Sequence, residues 1–221
     1  LATSLDSAGP LANSVADCAL VDAFMAGEHD PQPIAALPLK GLRLGVPRGT
    51  FLTDGLDAVV GAVFSRTLTR LAAAGAKIVE FDLPELAEMP AVNAAGGFAA
   101  SEAYAWHHGL VSEKADRYDP RILKRIKRGA HMTAADYVEL VEARARIIAS
   151  AAPRTAPFDA ILAPTCPLVP PKLSEVEDEG EYNRINMLLL RNTAPFNFLD
   201  RCSISIPCQA LGEPPVGLML T

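Results

Sequence analysis

The chain has 221 residues, of which 50% are hydrophobic and 21% charged, and its formal net charge is −6. This composition is typical of a folded globular protein and excludes a chain that is mainly disordered. Binding to nucleic acid rests on a positive surface that neutralises phosphates, so the acidic balance also argues against a nucleic-acid partner.

Neither a membrane span nor a metal site is predicted. No segment approaches the roughly 18 consecutive apolar residues of a transmembrane helix, and the first residues lack the basic and apolar parts of a signal peptide. We therefore expect a cytoplasmic protein. The histidines lack the H-E-x-x-H spacing and the cysteines lack a C-x-x-C pair, so we expect reduced thiols and no bound metal. The cysteines are Cys18, Cys166, Cys202 and Cys208.

The first predicted element is a helix from about Ser14 to Ala26. Ser14 and Asp17 have the spacing of a capping box, and Gly27 is a natural helix end. Between the caps the helix is apolar on nearly all sides. A helix of this kind belongs inside a larger structure than itself.

A strand–helix–strand unit follows. The sequence predicts a strand over 42–46, a helix over 57–74 that ends at Gly75, and a second strand over 77–81. Two strands joined through a helix favour a parallel pair with a right-handed crossover.

Residues 91–154 are predicted to be mainly helical. A short basic helix lies between Pro120 and Gly129, and we interpret it as a solvated face, with a phosphate or RNA site as the less favoured alternative. A capping sequence at Thr133 begins the next helix, in which Glu142 and Arg146 have the spacing of an ion pair.

The last part of the chain alternates between strands and other elements. We predict strands over 158–163, 202–206 and 216–220, a long loop over 164–180 and a helix over 181–191. The alternation along the whole chain indicates a layered α/β fold, with helices on both faces of a sheet.

Several runs of sequence resemble segments of the amidase-signature enzymes, in the order in which that family has them. The run over 3–30 is similar to the segment that follows the nucleophile region of the family, where S-L-D, G-P and a Val-x-Asp helix recur. The later runs are LKGLRLGVP (39–47), AAAGAKIVEFDLP (72–84), FDAILAPTCP (158–167), TAPFN (193–197) with SISIPC (203–208), and PPVGLML (214–220).

The resemblance implies a mixed sheet flanked by helices and a hydrolase that uses neither metal nor cofactor. In this family a serine nucleophile is activated by a second serine and a lysine, and backbone N–H groups of a Gly-rich loop hold the oxyanion. All of these parts precede the S-L-D segment, and the chain holds no Gly-Gly-Ser or Gly-Ser-Ser. We therefore expect residues 1–221 to be the carboxyl-terminal part of one amidase-signature domain that works with a missing amino-terminal segment.

Two regions are candidates for contact with substrate. By the resemblance, Asp6 lies behind the nucleophile loop, although a carboxylate in a turn is an equally supported interpretation. Trp106 belongs to an aromatic cluster with Phe98 and Tyr104 in a stretch that often walls the substrate funnel. Filling of a helical core is the favoured interpretation of this cluster.

A third candidate is a turn near the carboxyl end. The family pattern N-x-x-G-x-P begins here at Asn197, but Asp200 and Cys202 replace its Gly and Pro. If the turn lies at the pocket, Arg201 would bind an anionic or strongly polar part of the substrate. An exposed ion pair between Asp200 and Arg201 is the alternative, and it is slightly favoured.

The predicted reaction is hydrolysis of a small linear carboxamide to an acid and ammonia or amine. Two alternatives stay open: the glutaminase-type subunit of a transfer-RNA amidotransferase, and a non-catalytic binding or assembly protein. Leu190 stands where the transfer-RNA enzymes carry an acidic residue, which argues against the first alternative. Some members of the family pair as homodimers, so a homodimer also stays open.

Overall fold

A computed structural model describes residues 2–221. These residues form the eight α-helices and five strands that follow. The helices are α1 (Val15–Met25), α2 (Ala58–Ala73), α3 (Met89–Val92), α4 (Gly97–Lys114), α5 (Pro120–Arg128), α6 (Ala134–Thr155), α7 (Glu179–Leu190) and α8 (Ala194–Phe198). The strands are β1 (Arg43–Pro47), β2 (Lys77–Phe81), β3 (Ala160–Pro164), β4 (Ile204–Pro207) and β5 (Gly217–Leu220).

The strands form one mixed sheet in the order β2-β1-β3-β5-β4. The strand β1 is parallel to β2 and to β3, with Gly45 opposite both Val79 and Ile161. The strand β5 is antiparallel to both β3 and β4. The predicted parallel pair β1–β2 and the mixed sheet are therefore confirmed.

Helices cover both faces of the sheet because the inner strands alternate between two cores. In β3, Leu162 packs with Val60 and Phe64 of α2 in one core. The flanking Ile161 packs in the other core, which includes Phe98 of α4. Successive side chains of a strand point to opposite faces, so a strand that is apolar throughout must be covered on both sides.

The helical region between β2 and β3 follows the prediction with one correction. Thr133 caps α6 as expected, since its hydroxyl accepts the N–H of Asp136 at 3.1 Å. The predicted pair of Glu142 with Arg146 is wrong. Arg146 instead contacts Glu88 at 2.8 Å, because α6 lies beside the segment that precedes α3.

The long connection after β3 is shorter than predicted, because a helical turn forms over 173–176 and α7 already begins at Glu179. The basic helix α5 packs against α7: Arg121 lies over the ring of Tyr182 at 4.3 Å, and Lys124 approaches Glu179 at 3.6 Å. Part of the basic face of α5 is therefore used within the chain.

The apolar helix α1 lies on the surface. Ser14 caps it through the N–H of Asp17 at 3.1 Å, as predicted. Every residue of α1 is at least partly exposed, and Phe24 is 56% exposed. Exposed apolar patches of this kind often mark an interaction surface.

Candidate functional site

A cleft of about 440 Å³ opens where β3 ends and β5 begins. Its walls are mostly apolar and come from α2, α7 and the proline-rich segment after β3, with Val60 and Leu189 among the lining residues. Polar side chains are few: those of Thr165, Cys166, Ser205 and Gln209. An apolar cleft with a few converging polar groups is the usual form of a small-molecule site. We call it the sheet-end cleft.

Two hydroxyls meet in the wall of the sheet-end cleft. Thr165 Oγ1 lies 2.5 Å from Ser205 Oγ, so one of the two donates to the other. Gly217 makes this approach feasible, because a Cβ at that position would lie 2.5 Å from the Ser205 hydroxyl and 2.6 Å from that of Thr165. The hydroxyl pair can donate or accept one further hydrogen bond to a ligand.

The loop that carries Thr165 is fixed from two sides. Asn192 is fully buried and donates from Nδ2 to the carbonyls of Pro164, at 2.8 Å, and Leu52, at 3.0 Å. The backbone N–H of Asp57, just before α2, donates to the carbonyl of Pro167 at 2.8 Å. These bonds attach the loop to the ends of two helices, so the cleft wall is held in a defined position.

Cys166 carries a thiol, a potential nucleophile, in the wall of the cleft. Its surroundings do not favour the reactive thiolate. Its thiol donates to the carbonyl of Leu189 at 3.5 Å. Burial raises the pKa of the Cys166 thiol, so the reactive thiolate is disfavoured at neutral pH.

The predicted site residue Asp6 lies in a turn formed by residues 2–6. Its carboxylate accepts the backbone N–H of Ala2 at 2.9 Å, and its own N–H donates to the Ala2 carbonyl at 2.7 Å. The turn touches the carboxyl-terminal part of the chain, since the side chain of Asn197 donates to the carbonyl of Leu5 at 2.8 Å. Asp6 is exposed and makes the contacts of a turn carboxylate, and its place behind the nucleophile loop stays a prediction.

Asp200 and Arg201 follow Asn197 on a tight turn after α8. Asp200 has φ of 59°, a left-handed conformation that Gly adopts more readily, as at this position of the family pattern. Its carboxylate lies 3.6 Å from Arg144, which also donates to the carbonyl of Phe198 at 2.9 Å. Arg201 points elsewhere and donates to the hydroxyl of Thr155 at 3.3 Å. The predicted pair between Asp200 and Arg201 is thus replaced by two other contacts.

Trp106 stands apart from these groups on α4, with 65% of its surface exposed. The core interpretation is confirmed for Phe98, which is 2% exposed, and is wrong for Trp106. A role of Trp106 in binding substrate stays a prediction.

The part of the chain that the structure describes offers neither a metal cluster nor a membrane helix. Within residues 2–221, no cluster of three or more His, Cys, Asp or Glu side chains could hold a metal ion. None of the helices over the same residues is both long enough and apolar enough to cross a bilayer.

Comparison with known proteins decides the family. The family model described as Amidase matches residues 1–221, which is the entire chain. The chain belongs to the amidase family. A crystal structure described as that of an amidase superposes with a TM-score of 0.81 at 27% identity, and covers 100% of this chain and 49% of that one.

Two curated relatives extend the comparison. The 2-amino-5-chloromuconic acid deaminase of Comamonas testosteroni is 34% identical over 100% of this chain and 48% of its own length. One subunit of the glutamyl-tRNA(Gln) amidotransferase of Moorella thermoacetica is 28% identical over 99% of this chain and 51% of its own length. The chain therefore spans about half the length of these relatives.

Residues from three of the amidase-like sequence runs line the sheet-end cleft. Thr165 and Cys166 come from the A-P-T-C-P run, Ser205 from S-I-S-I-P, and Gly217 from P-P-V-G. Sequence reasoning named these runs as family segments but missed them as a site. Thr165 and Cys166, directly after β3, were the available signal, because strand ends are common places for ligand clefts.

Proposed function

We propose that the complete protein hydrolyses a C–N bond of a small amide and releases an acid with ammonia or an amine. The observation that carries this proposal is the match to the amidase family along the whole chain. The sheet-end cleft supports it, since an apolar cleft with a few hydroxyl groups suits a small organic amide rather than a polymer. No metal or cofactor is part of the proposed reaction.

The nucleophile and its base belong, in this proposal, to an amino-terminal segment that precedes the turn over 2–6. A lysine acting as base needs a lowered pKa, which burial or a neighbouring cation supplies. All lysines of the chain are exposed. Residues 1–221 would then supply the carboxyl-terminal part of one catalytic domain: scaffold, cleft wall and contacts to substrate.

We further propose a substrate with a carboxylate or another strongly polar group. The name of the deaminase relative specifies an acid with an amino group. Arg201 is exposed at the turn after α8, outside the lining of the sheet-end cleft, and within residues 2–221 its side chain makes one hydrogen bond, to the neutral hydroxyl of Thr155. A guanidinium in that state can bind a carboxylate through two hydrogen bonds.

The test compares a carboxylate-bearing amide with a neutral aromatic amide by following ammonia release from the complete protein. In Arg201→Ala, KM for the anionic amide should rise about tenfold, because the lost contact binds ground state and transition state alike. KM for the neutral amide should stay unchanged. The matched control is Arg184→Ala, which removes an exposed arginine of α7 that pairs with Glu181 in its own helix. Equal effects of Arg201→Ala on both amides would exclude a role in charge recognition.

A transfer-RNA amidotransferase is a second candidate because one subunit of such an enzyme matches nearly the whole chain. Leu190, which is 50% exposed, replaces the acidic residue expected for that function. Ammonia release from glutamine that depends on partner subunits would favour the amidotransferase. Release from a simple amide by the complete protein alone would favour the hydrolase, and a lack of both would favour a binding or assembly role.

We propose the cytoplasm as the location. The four cysteines are all free, which suits a reducing compartment. A homodimer stays open, as proposed from the family. Size-exclusion chromatography with light scattering on the complete protein measures this directly.

A further inference from the structure

Glu102 of α4 is a buried carboxylate that contacts the turn over 2–6. It is 9% exposed. Its two oxygens accept three hydrogen bonds: one from the Ser4 backbone N–H at 2.8 Å, one from the Ser4 hydroxyl at 2.5 Å, and one from the Tyr137 hydroxyl at 2.8 Å. Burial of a carboxylate is unfavourable unless donors replace the lost water. Here the turn itself supplies two of the three donors.

The turn over 2–6 is also held from its other side. The side chain of Asn197, in the last turn of α8, donates to the Leu5 carbonyl at 2.8 Å. The Leu5 side chain packs against the larger core. The turn is thus fixed by α4 and α8, which lie 98 or more residues away along the chain.

Glu102 is suited to this role because it is ionised. Burial alone would raise the pKa of the Glu102 carboxyl, but the hydrogen bonds from Ser4 and Tyr137 outweigh burial and leave the pKa below its ordinary value. An ionised carboxylate only accepts hydrogen bonds, and it does so at both oxygens. A glutamine could keep all three contacts only by donating from its amide to both hydroxyls, and because it is neutral it would lose the charge-assisted strength of the three bonds.

We propose that Glu102 is a positioning residue that fixes the turn over 2–6 and, through it, the rate of the hydrolysis. The inference rests on the proposed function, in which the nucleophile segment precedes this turn. A nucleophile displaced by about 1 Å can lose about a hundredfold in rate. Glu102 itself does not touch the substrate.

The first experiment measures hydrogen exchange in the turn and needs no activity. In the complete protein, Glu102→Gln should speed the exchange of the Ser4 and Leu5 amides by about tenfold or more, because the local opening free energy falls. The matched control is Glu113→Gln, an exposed glutamate of the same helix, which should leave the exchange unchanged. Unchanged exchange in Glu102→Gln would overturn the inference.

The second experiment separates positioning from substrate binding. In Glu102→Gln, kcat should fall about 10- to 100-fold while KM stays within about twofold, and Glu102→Asp should recover part of the loss. Tyr137→Phe removes one donor and keeps the carboxylate, so it should fold and show a smaller loss of kcat. Faster exchange with an unchanged kcat, or a rise in KM alone, would overturn the inference.

The two readouts also separate this inference from the proposed function. A wild-type protein without hydrolase activity would overturn the proposed function. The exchange of Ser4 in Glu102→Gln would then decide by itself whether Glu102 holds the turn.

Discussion

Gly217 shows how one residue determines the geometry of the sheet-end cleft. The hydroxyls of Thr165 and Ser205 meet where a Cβ of residue 217 would stand. A larger side chain must push the two hydroxyls apart or shift the strand. Overpacking of this kind typically costs about 1–3 kcal/mol.

The corresponding variant is Gly217→Ala. We expect it to lower the free energy of unfolding by about 1–3 kcal/mol in chemical denaturation, because the added methyl group collides with both hydroxyls. The control is Gly109→Ala, where no atom lies within 4 Å of the new Cβ and α4 gains a better helix former. A Gly217→Ala protein as stable as wild type would show that the hydroxyl pair is not packed as described.

For single residues, the sequence showed which side chains were unusual but not which atoms they contact. Asp200 could be recognised from the family pattern, but its left-handed backbone and its contact with Arg144 depend on how α6 packs against α8. The exposure of Trp106 was equally unpredictable, because α4 has polar and apolar residues on all sides. Glu102 looked like one of many helical glutamates until the turn was placed beside it.

Helices and strands were predicted well where local signals fix their ends. The α2 helix begins after Asp57, whose side chain accepts the N–H of Val59 at 2.8 Å, and it ends before Gly75 with φ of 98°. The start of β3 was predicted too early, because Phe158 packs against the ring of Phe81 at 4.6 Å instead of joining the sheet. The start of α7 was predicted too late, because Asp178 provides a cap that was not recognised.

The amino-terminal cap of α6 contributes to the stability of the protein. Thr133→Ala removes the hydroxyl that accepts the N–H of Asp136, so the free energy of unfolding should fall by about 1 kcal/mol. Thr69→Ala is the control, since Thr69 lies inside α2 and its hydroxyl only bonds back to the carbonyl of Ser65. Its effect should stay within about 0.5 kcal/mol.

The stability that the cap of α6 contributes depends on pH. The backbone N–H and the hydroxyl of Thr133 lower the pKa of Asp136, so the ionised carboxylate stabilises the folded state. This contribution is complete above the ordinary pKa of Asp, about 4, and is lost as pH falls through the lowered value. The penalty of Thr133→Ala should therefore be larger at pH 7 than at pH 3, and an equal penalty at both would contradict the capping interpretation.

The described structure has open sheet edges and an exposed apolar helix, which are surfaces suited to further protein contacts. The edge strands β2 and β4 each have one partner strand within the described residues 2–221. The helix α1 has exposed apolar residues on its surface, including Phe24 and Met25. Open edges and apolar surface promote association. We propose that the amino-terminal half of the complete protein covers these surfaces.

The sequence predicted the architecture of the molecule more fully than its site. The order of the family-like runs was sufficient for the fold, because each run corresponds to a strand or helix of the sheet layers. The site was less accessible, because residues such as Asn192 and Ser205 meet the loop after β3 only in the folded chain.

The most direct test of the central claim is labelling with a fluorophosphonate serine probe, followed by mass spectrometry of the labelled peptide. If the protein is an amide hydrolase of this family, the complete protein should be labelled at a serine outside residues 1–221. The isolated 221 residues should remain unlabelled and release no ammonia from simple amides. Labelling of any serine within the chain, such as Ser4 or Ser205, would contradict the account, because it would place the nucleophile in the half assigned here to scaffold and binding.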